Sequence, residues 1–130
     1  MEVLYVIVAR SRVVEFVAGQ SVTVRFVNLR QPGLVIEKVD ENGLPLAGAE
    51  FELRTAGGQL LHRVTTNQGG IAAIEGLATG TFVLTETRPP QGFEVVEVSR
   101  TIEFVAGESR TERFVNLRTP SPRQSTLWLY

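Results

Sequence analysis

Residues 81–87 read Thr81-Phe82-Val83-Leu84-Thr85-Glu86-Thr87. In an extended chain, side chains alternate between two faces. Phe82, Leu84 and Glu86 then share one face, and the three threonines share the other with Val83. Ala49, Phe51 and Leu53 alternate in the same way. Strand-like runs cover 34–40, 48–54, 60–66, 71–74, 81–87, 93–98, 101–105 and 110–117. Between them lie turn signals such as Asn42-Gly43, Gly57-Gly58, Asn67-Gln68-Gly69-Gly70 and Pro89-Pro90-Gln91-Gly92. No segment holds a helical period for three turns. Seven to eight short strands with regular turns predict an all-β fold, an antiparallel β-sandwich.

An internal repeat sets the organisation. Residues 15–30 (EFVAGQSVTVRFVNLR) and 103–118 (EFVAGESRTERFVNLR) agree at thirteen of sixteen positions, at an offset of 88. Tyr5-Val6-Ile7-Val8 aligns more weakly with Phe93-Glu94-Val95-Val96. A tandem array with a unit of one ordinary domain accounts for this. Residues 1–31 then read as closing strands of a truncated preceding repeat, 32–118 as a complete domain, and 119–130 as linker and tail. In that tail Leu127-Trp128-Leu129-Tyr130 reads as a frayed end, with an edge or groove contact for Trp128 as the sharper alternative.

Composition excludes several classes. The formal net charge of −1 gives no basic surface for nucleic acid. The absence of cysteine removes disulfides and thiolate chemistry, and a lone histidine, His62, argues against a zinc centre or a histidine triad. No metal or cofactor is expected. No apolar stretch is long enough to span a bilayer, and residues 1–10 do not read as a secretion signal.

Three polar residues carry inward parity. Lys38 is the only lysine among thirteen basic residues, and it shares parity with Leu34 and Ile36. Glu86 follows Phe82 and Leu84. Asn116 follows Phe114. The signal is sharpest for Glu86, because Val35, Val39, Val115 and Leu117 make the other two strands apolar on both faces. A buried amine is costly unless it is paired, neutralised or chemically consumed.

The segments Ile36-Glu37-Lys38-Val39-Asp40, Leu46-Ala47-Gly48-Ala49-Glu50-Phe51, Leu84 to Phe93 (LTETRPPQGF) and Phe114-Val115-Asn116-Leu117 fall in order. Together they resemble the Cna B-type, prealbumin-like (Ig-like sandwich) domains of Gram-positive surface proteins and pilins. The resemblance covers about residues 33–118. Pro89 and Phe93 stand where alanine and tyrosine are common in that family, and both keep the turn and its packing. The resemblance implies a spontaneous isopeptide bond between Lys38 and Asn116, promoted by Glu86, and parallel, adjacent opening and closing strands.

The implied chemistry suits a buried site. An apolar pocket disfavours both charged forms, and the free amine is the nucleophile. A protonated Glu86 is expected to donate to the Asn116 carbonyl oxygen and to take protons from the amine as ammonia leaves. Proximity imposed by the fold supplies much of the acceleration. The domain is its own substrate and turns over once, so an enzyme acting on external substrates is not expected. By analogy with a disulfide, the link would add roughly 4–5 kcal/mol, a large share of the roughly 5–15 kcal/mol typical of a domain.

The functional expectation is a structural stalk or spacer module of a cell-wall adhesin or pilus-like protein, exported to the cell surface. The alternative is a β-sandwich that binds a host protein or glycan through loops such as 55–59, 67–70 and 88–92, with Lys38, Glu86 and Asn116 only a buried polar network. Sortase-driven polymerisation uses an exposed lysine, so a sole lysine spent in the core favours a repeat within one long polypeptide. The expected partners are neighbouring repeats of that polypeptide. Asn28 is the counterpart of Asn116, but nine residues separate it from Lys38. That is too few for the crossover parallel neighbours need, which leaves strand-swapped self-association through residues 1–30 as a route between chains.

Overall fold

A computed structural model describes residues 5–7 and 11–120. Residues 121–130 of the tail, Trp128 among them, and Val8 of the weaker repeat match lie outside the described residues. The strands among those described are β1 (Tyr5–Ile7), β2 (Asn28–Arg30), β3 (Gly33–Asp40), β4 (Glu50–Thr55), β5 (Leu60–Thr65), β6 (Ile71–Ile74), β7 (Gly80–Arg88), β8 (Phe93–Val95), β9 (Ser99–Phe104) and β10 (Ser109–Arg118). No helix occurs among the described residues.

Strands β3 to β10 form two four-stranded sheets, in the orders β6-β3-β10-β8 and β5-β4-β7-β9. The alternation read at 81–87 holds: Phe82, Leu84 and Glu86 are buried, while Val83 and Thr85 are only partly so. Leu34 and Ile36 of β3 meet Phe51 and Leu53 of β4, Leu84 of β7 and Phe104 of β9 in one apolar layer. Each is at most 1% exposed, so each contributes about 1.5–3 kcal/mol by burial. The fold is an all-β sandwich with eight strands in the unit 33–118.

One pairing is parallel. β10 runs beside β3 with Phe114 opposite Lys38 and Asn116 opposite Asp40. The other ladders are antiparallel. The long crossover a parallel pair requires is the rest of the domain.

The strand expected over 93–98 stops at Val95, and the next begins at Ser99 instead of 101. At this point the chain leaves the first sheet for the second, so residues 96–98 have no ladder to join. The Val98 carbonyl accepts instead from the Glu86 backbone N–H at 2.8 Å.

The N-terminal segment pairs only in part. β1 lies antiparallel to β2 with Tyr5 opposite Arg30 and Ile7 opposite Asn28. β8 and β10 pair with Phe93 opposite Arg118 and Val95 opposite Asn116, which is the same register shifted by 88. Residues 11–27 form no strand. Phe16 is 79% exposed and Phe26 53%, whereas their counterparts Phe104 and Phe114 are 1% exposed. Among the described residues, no equivalents of β3–β7 cover this segment.

Candidate functional site

The lysine, glutamate and asparagine singled out in the sequence meet inside the sandwich. Lys38 is 1% exposed, Glu86 3% and Asn116 0%. Lys38 and Asn116 come from the adjacent parallel strands β3 and β10, one pleat apart. Glu86 reaches them from β7 of the facing sheet.

The polar atoms close on one another. Glu86 Oε1 accepts from Lys38 Nζ at 3.1 Å, and Glu86 Oε2 accepts from Asn116 Nδ2 at 2.8 Å. Lys38 Nζ donates to Asn116 Oδ1. Among the described residues no buried side-chain nitrogen or oxygen lacks a partner. One expected contact differs. Glu86 sits on the carboxamide nitrogen of Asn116, not on its carbonyl oxygen. Its two oxygens accept from the two N–H donors, and Oδ1 is left to the amine.

The surroundings are buried and largely apolar. Lys38 Nζ lies 5.8 Å from the centre of the Phe114 ring, and Phe51 packs edge-on against that ring at 5.0 Å. Burial therefore pulls the Lys38 amine below its ordinary value of 10.5, against the opposing charge and hydrogen bond of Glu86. That direction favours the neutral amine.

Arg100 roofs the site, its guanidinium 4.0 Å from the centre of the Phe114 ring. Its hydrogen bonds to Glu97, and then to Glu112, hold it above the usual arginine range. The Glu97 carboxyl is correspondingly held down, chiefly by its hydrogen bond from Arg100. Glu97 lies only three residues before Arg100, but it is β10 that brings Glu112 and the Phe114 ring to the same guanidinium.

Two further residues escaped the sequence reading. Gly70 fixes the backbone of Lys38: the Lys38 N–H donates to the Gly70 carbonyl at 2.7 Å. A Cβ on Gly70 would stand 2.5 Å from the Lys38 carbonyl oxygen. Its φ of +73° also favours glycine. In the sequence Gly70 read only as part of a turn. Asp40, 2% exposed, ends β3 by accepting from the backbone N–H groups of Asn42 at 2.8 Å and Leu44 at 2.9 Å. Asn28 sits exposed on β2, and His62 is an exposed residue of β5.

The family of SpaA, prealbumin-like fold domains, matches residues 32–118. Among solved structures, the chain is similar to a minor pilin of Streptococcus agalactiae, at 24% identity over 69% of this chain and 45% of that one, with a TM-score of 0.63. It is similar to the TIE protein of Bacillus anthracis, at 25% identity over 74% of this chain and 19% of that one, with a TM-score of 0.62. It is also similar to BcpA, the major pilin subunit of Bacillus cereus, at 22% identity over 70% of this chain and 30% of that one, with a TM-score of 0.64. The chain spans less than half the length of each of these proteins. No curated protein matches it significantly. At such identities the structural likeness speaks for the fold, and the family match speaks for descent: the chain belongs to the SpaA prealbumin-like fold domain family.

Proposed function

We propose that residues 32–118 form a structural stalk or spacer module of a cell-surface adhesin or pilus-like protein, held by a Lys38–Asn116 isopeptide bond that Glu86 promotes. The observation that carries this reading is the Glu86 carboxyl group, with one oxygen on the attacking nitrogen and the other on the leaving nitrogen. Pilin structures of the same fold support the surface role.

The chemistry balances without a cofactor. A proton passes from Lys38 Nζ to Glu86 Oε1, giving a neutral amine and a neutral acid, the pair an apolar pocket favours. Nζ attacks Asn116 Cγ, and its N–C bond forms as the carbonyl π electrons move to Oδ1. Glu86 hands a proton to Nδ2 and takes one from Nζ. The carbonyl reforms, the Cγ–Nδ2 bond breaks, and ammonia leaves. The products are a secondary amide, ammonia and a neutral Glu86. No external substrate takes part, so the module is not a turnover enzyme.

Residues 1–31 are the closing part of a preceding unit in the same polypeptide, and the shared register of the β1–β2 and β8–β10 pairs supports this. Neighbouring repeats are then the natural partners. The exposure of Phe16 and Phe26 also favours a second route, in which residues 1–30 insert into another copy by strand exchange.

Intact mass tests the bond. The folded chain is expected to be lighter than its sequence by one ammonia. Glu86→Ala and Lys38→Arg are expected to restore the full mass and lower the melting temperature. A folded chain of unaltered sequence at full mass ends the covalent reading.

A further inference from the structure

The end of β2 is seated on the domain that follows it. The Arg30 carbonyl accepts from the Gly107 N–H at 2.6 Å, at the turn joining β9 to β10. The Leu29 side chain lies 3.6–3.7 Å from where a Gly107 Cβ would stand. Two residues later Pro32 is fully buried, and its carbonyl accepts from the Leu77 N–H at 2.9 Å. The passage from one unit to the next is thus pinned at two points.

Both halves of this contact recur at the offset of 88. Leu117-Arg118 repeats Leu29-Arg30, and Pro120 repeats Pro32. Leu117 is 46% exposed. At the other end, Val17-Ala18-Gly19-Gln20 repeats Val105-Ala106-Gly107-Glu108 with its turn intact. The Gln20 N–H donates to Val17 O, and the Glu108 N–H to Val105 O, each at 3.1 Å. The glycine φ values are +80° and +86°. Nothing stands within 4 Å of a Cβ placed on Gly19. The chain therefore carries one joined contact and a second copy of each of its two halves.

We propose that consecutive repeats dock head to tail through this contact. Leu117-Arg118 seats on the Gly107-type turn of the following unit, and the Gly19 turn receives the Leu29-type residue of the unit before its own. The partner is another repeat of the same polypeptide, and the inference rests on the tandem-array reading. One contact used at every junction relates successive units by a constant rotation and translation, giving a stiff rod.

Amide hydrogen exchange on the 130-residue chain tests this, with Gly19 as the internal reference for an undocked turn. The Gly107 amide is expected to exchange roughly 5–30-fold more slowly than that of Gly19. Leu29→Asp is expected to bring Gly107 to the Gly19 rate while β3 and β10 keep their protection. Equal rates at the two glycines in the unaltered chain, or a Gly107 rate unmoved by Leu29→Asp, overturn the docking. Mass read on the same sample separates the two ideas. A chain light by one ammonia with an unprotected Gly107 has the crosslink on a loose linker, whereas a full-mass chain with a protected Gly107 has the junction without the crosslink.

Discussion

Gly70→Ala is the substitution on which the geometry around the site makes its sharpest demand. Gly70 has φ of +73°, a region that costs a residue with a Cβ roughly 1–2 kcal/mol. The new methyl would also stand 2.5 Å from the Lys38 carbonyl oxygen, 2.9 Å from Pro45 Cβ and 3.0 Å from the Leu46 nitrogen. Two of those three atoms are backbone and cannot turn aside, so overpacking adds roughly 1–3 kcal/mol. The sum is a loss of roughly 2–5 kcal/mol. Gly58→Ala is the matched control, because Gly58 has φ of +96° but nothing within 4 Å. It bears the backbone cost alone, roughly 1–2 kcal/mol. Urea unfolding of both variants, with intact mass taken on each sample, isolates the steric part. Because the clash pushes on the backbone of Lys38, Gly70→Ala is also expected to leave a fraction of chains at full mass. Unfolding free energies within about 0.5 kcal/mol of each other refute the claim that Gly70 is there to let Lys38 into place.

Two further outcomes are expected. Asn116→Ala removes the acceptor and leaves Lys38 a buried amine whose folded value lies below 10.5. Between that folded value and 10.5 the unfolded chain binds a proton that the folded chain does not, so the variant's stability should rise with pH across this window. If Lys38 is converted to an amide as proposed, the unaltered chain lacks that rise, which pH-dependent urea unfolding will report. Under single-molecule pulling from residues 32 and 118, the unaltered chain should show no large unfolding step. Lys38→Met should release on the order of 250 Å of contour, and a step of that size in the unaltered chain rules out the bond.

The sandwich was legible because Phe82-Val83-Leu84-Thr85-Glu86 alternates without interruption, and burial follows that alternation residue by residue. Lys38 and Asn116 were harder to place because their strands look apolar on both faces. The structure separates the faces: Val115 is 42% exposed, and Val39 is covered by a bridge to Pro45. The orientation of Glu86 towards the leaving nitrogen was beyond the sequence, since it depends on where a side chain of the opposite sheet arrives. The same holds for Gly70, and for the contacts of Arg100 with Glu112 and Phe114, which are set by strand pairing and packing and not by neighbours in the chain. The break at residues 96–98 follows from a change of sheet, and an apolar run such as Val95-Val96 gives no sign of one.

The position of the proposed link along its two strands bears on the stalk reading. β3 and β10 run in the same direction, so a pull on residues 32 and 118 shears one strand along the other. Lys38 lies near the far end of β3, and Asn116 near the far end of β10. With the bond in place, tension entering at Pro32 runs along residues 33–38, crosses the two side chains and leaves through residues 117 and 118. That stretch of β3 is already extended at roughly 3.3 Å per residue and has little length left to give. Everything from Val39 to Val115 lies outside the path, including Gly70, the Arg100 cluster and the sheet that carries Glu86. The β-sandwich then has two separate duties: before the bond it brings amine, acid and amide together, and afterwards it keeps water from the amide while the covalent chain carries the force.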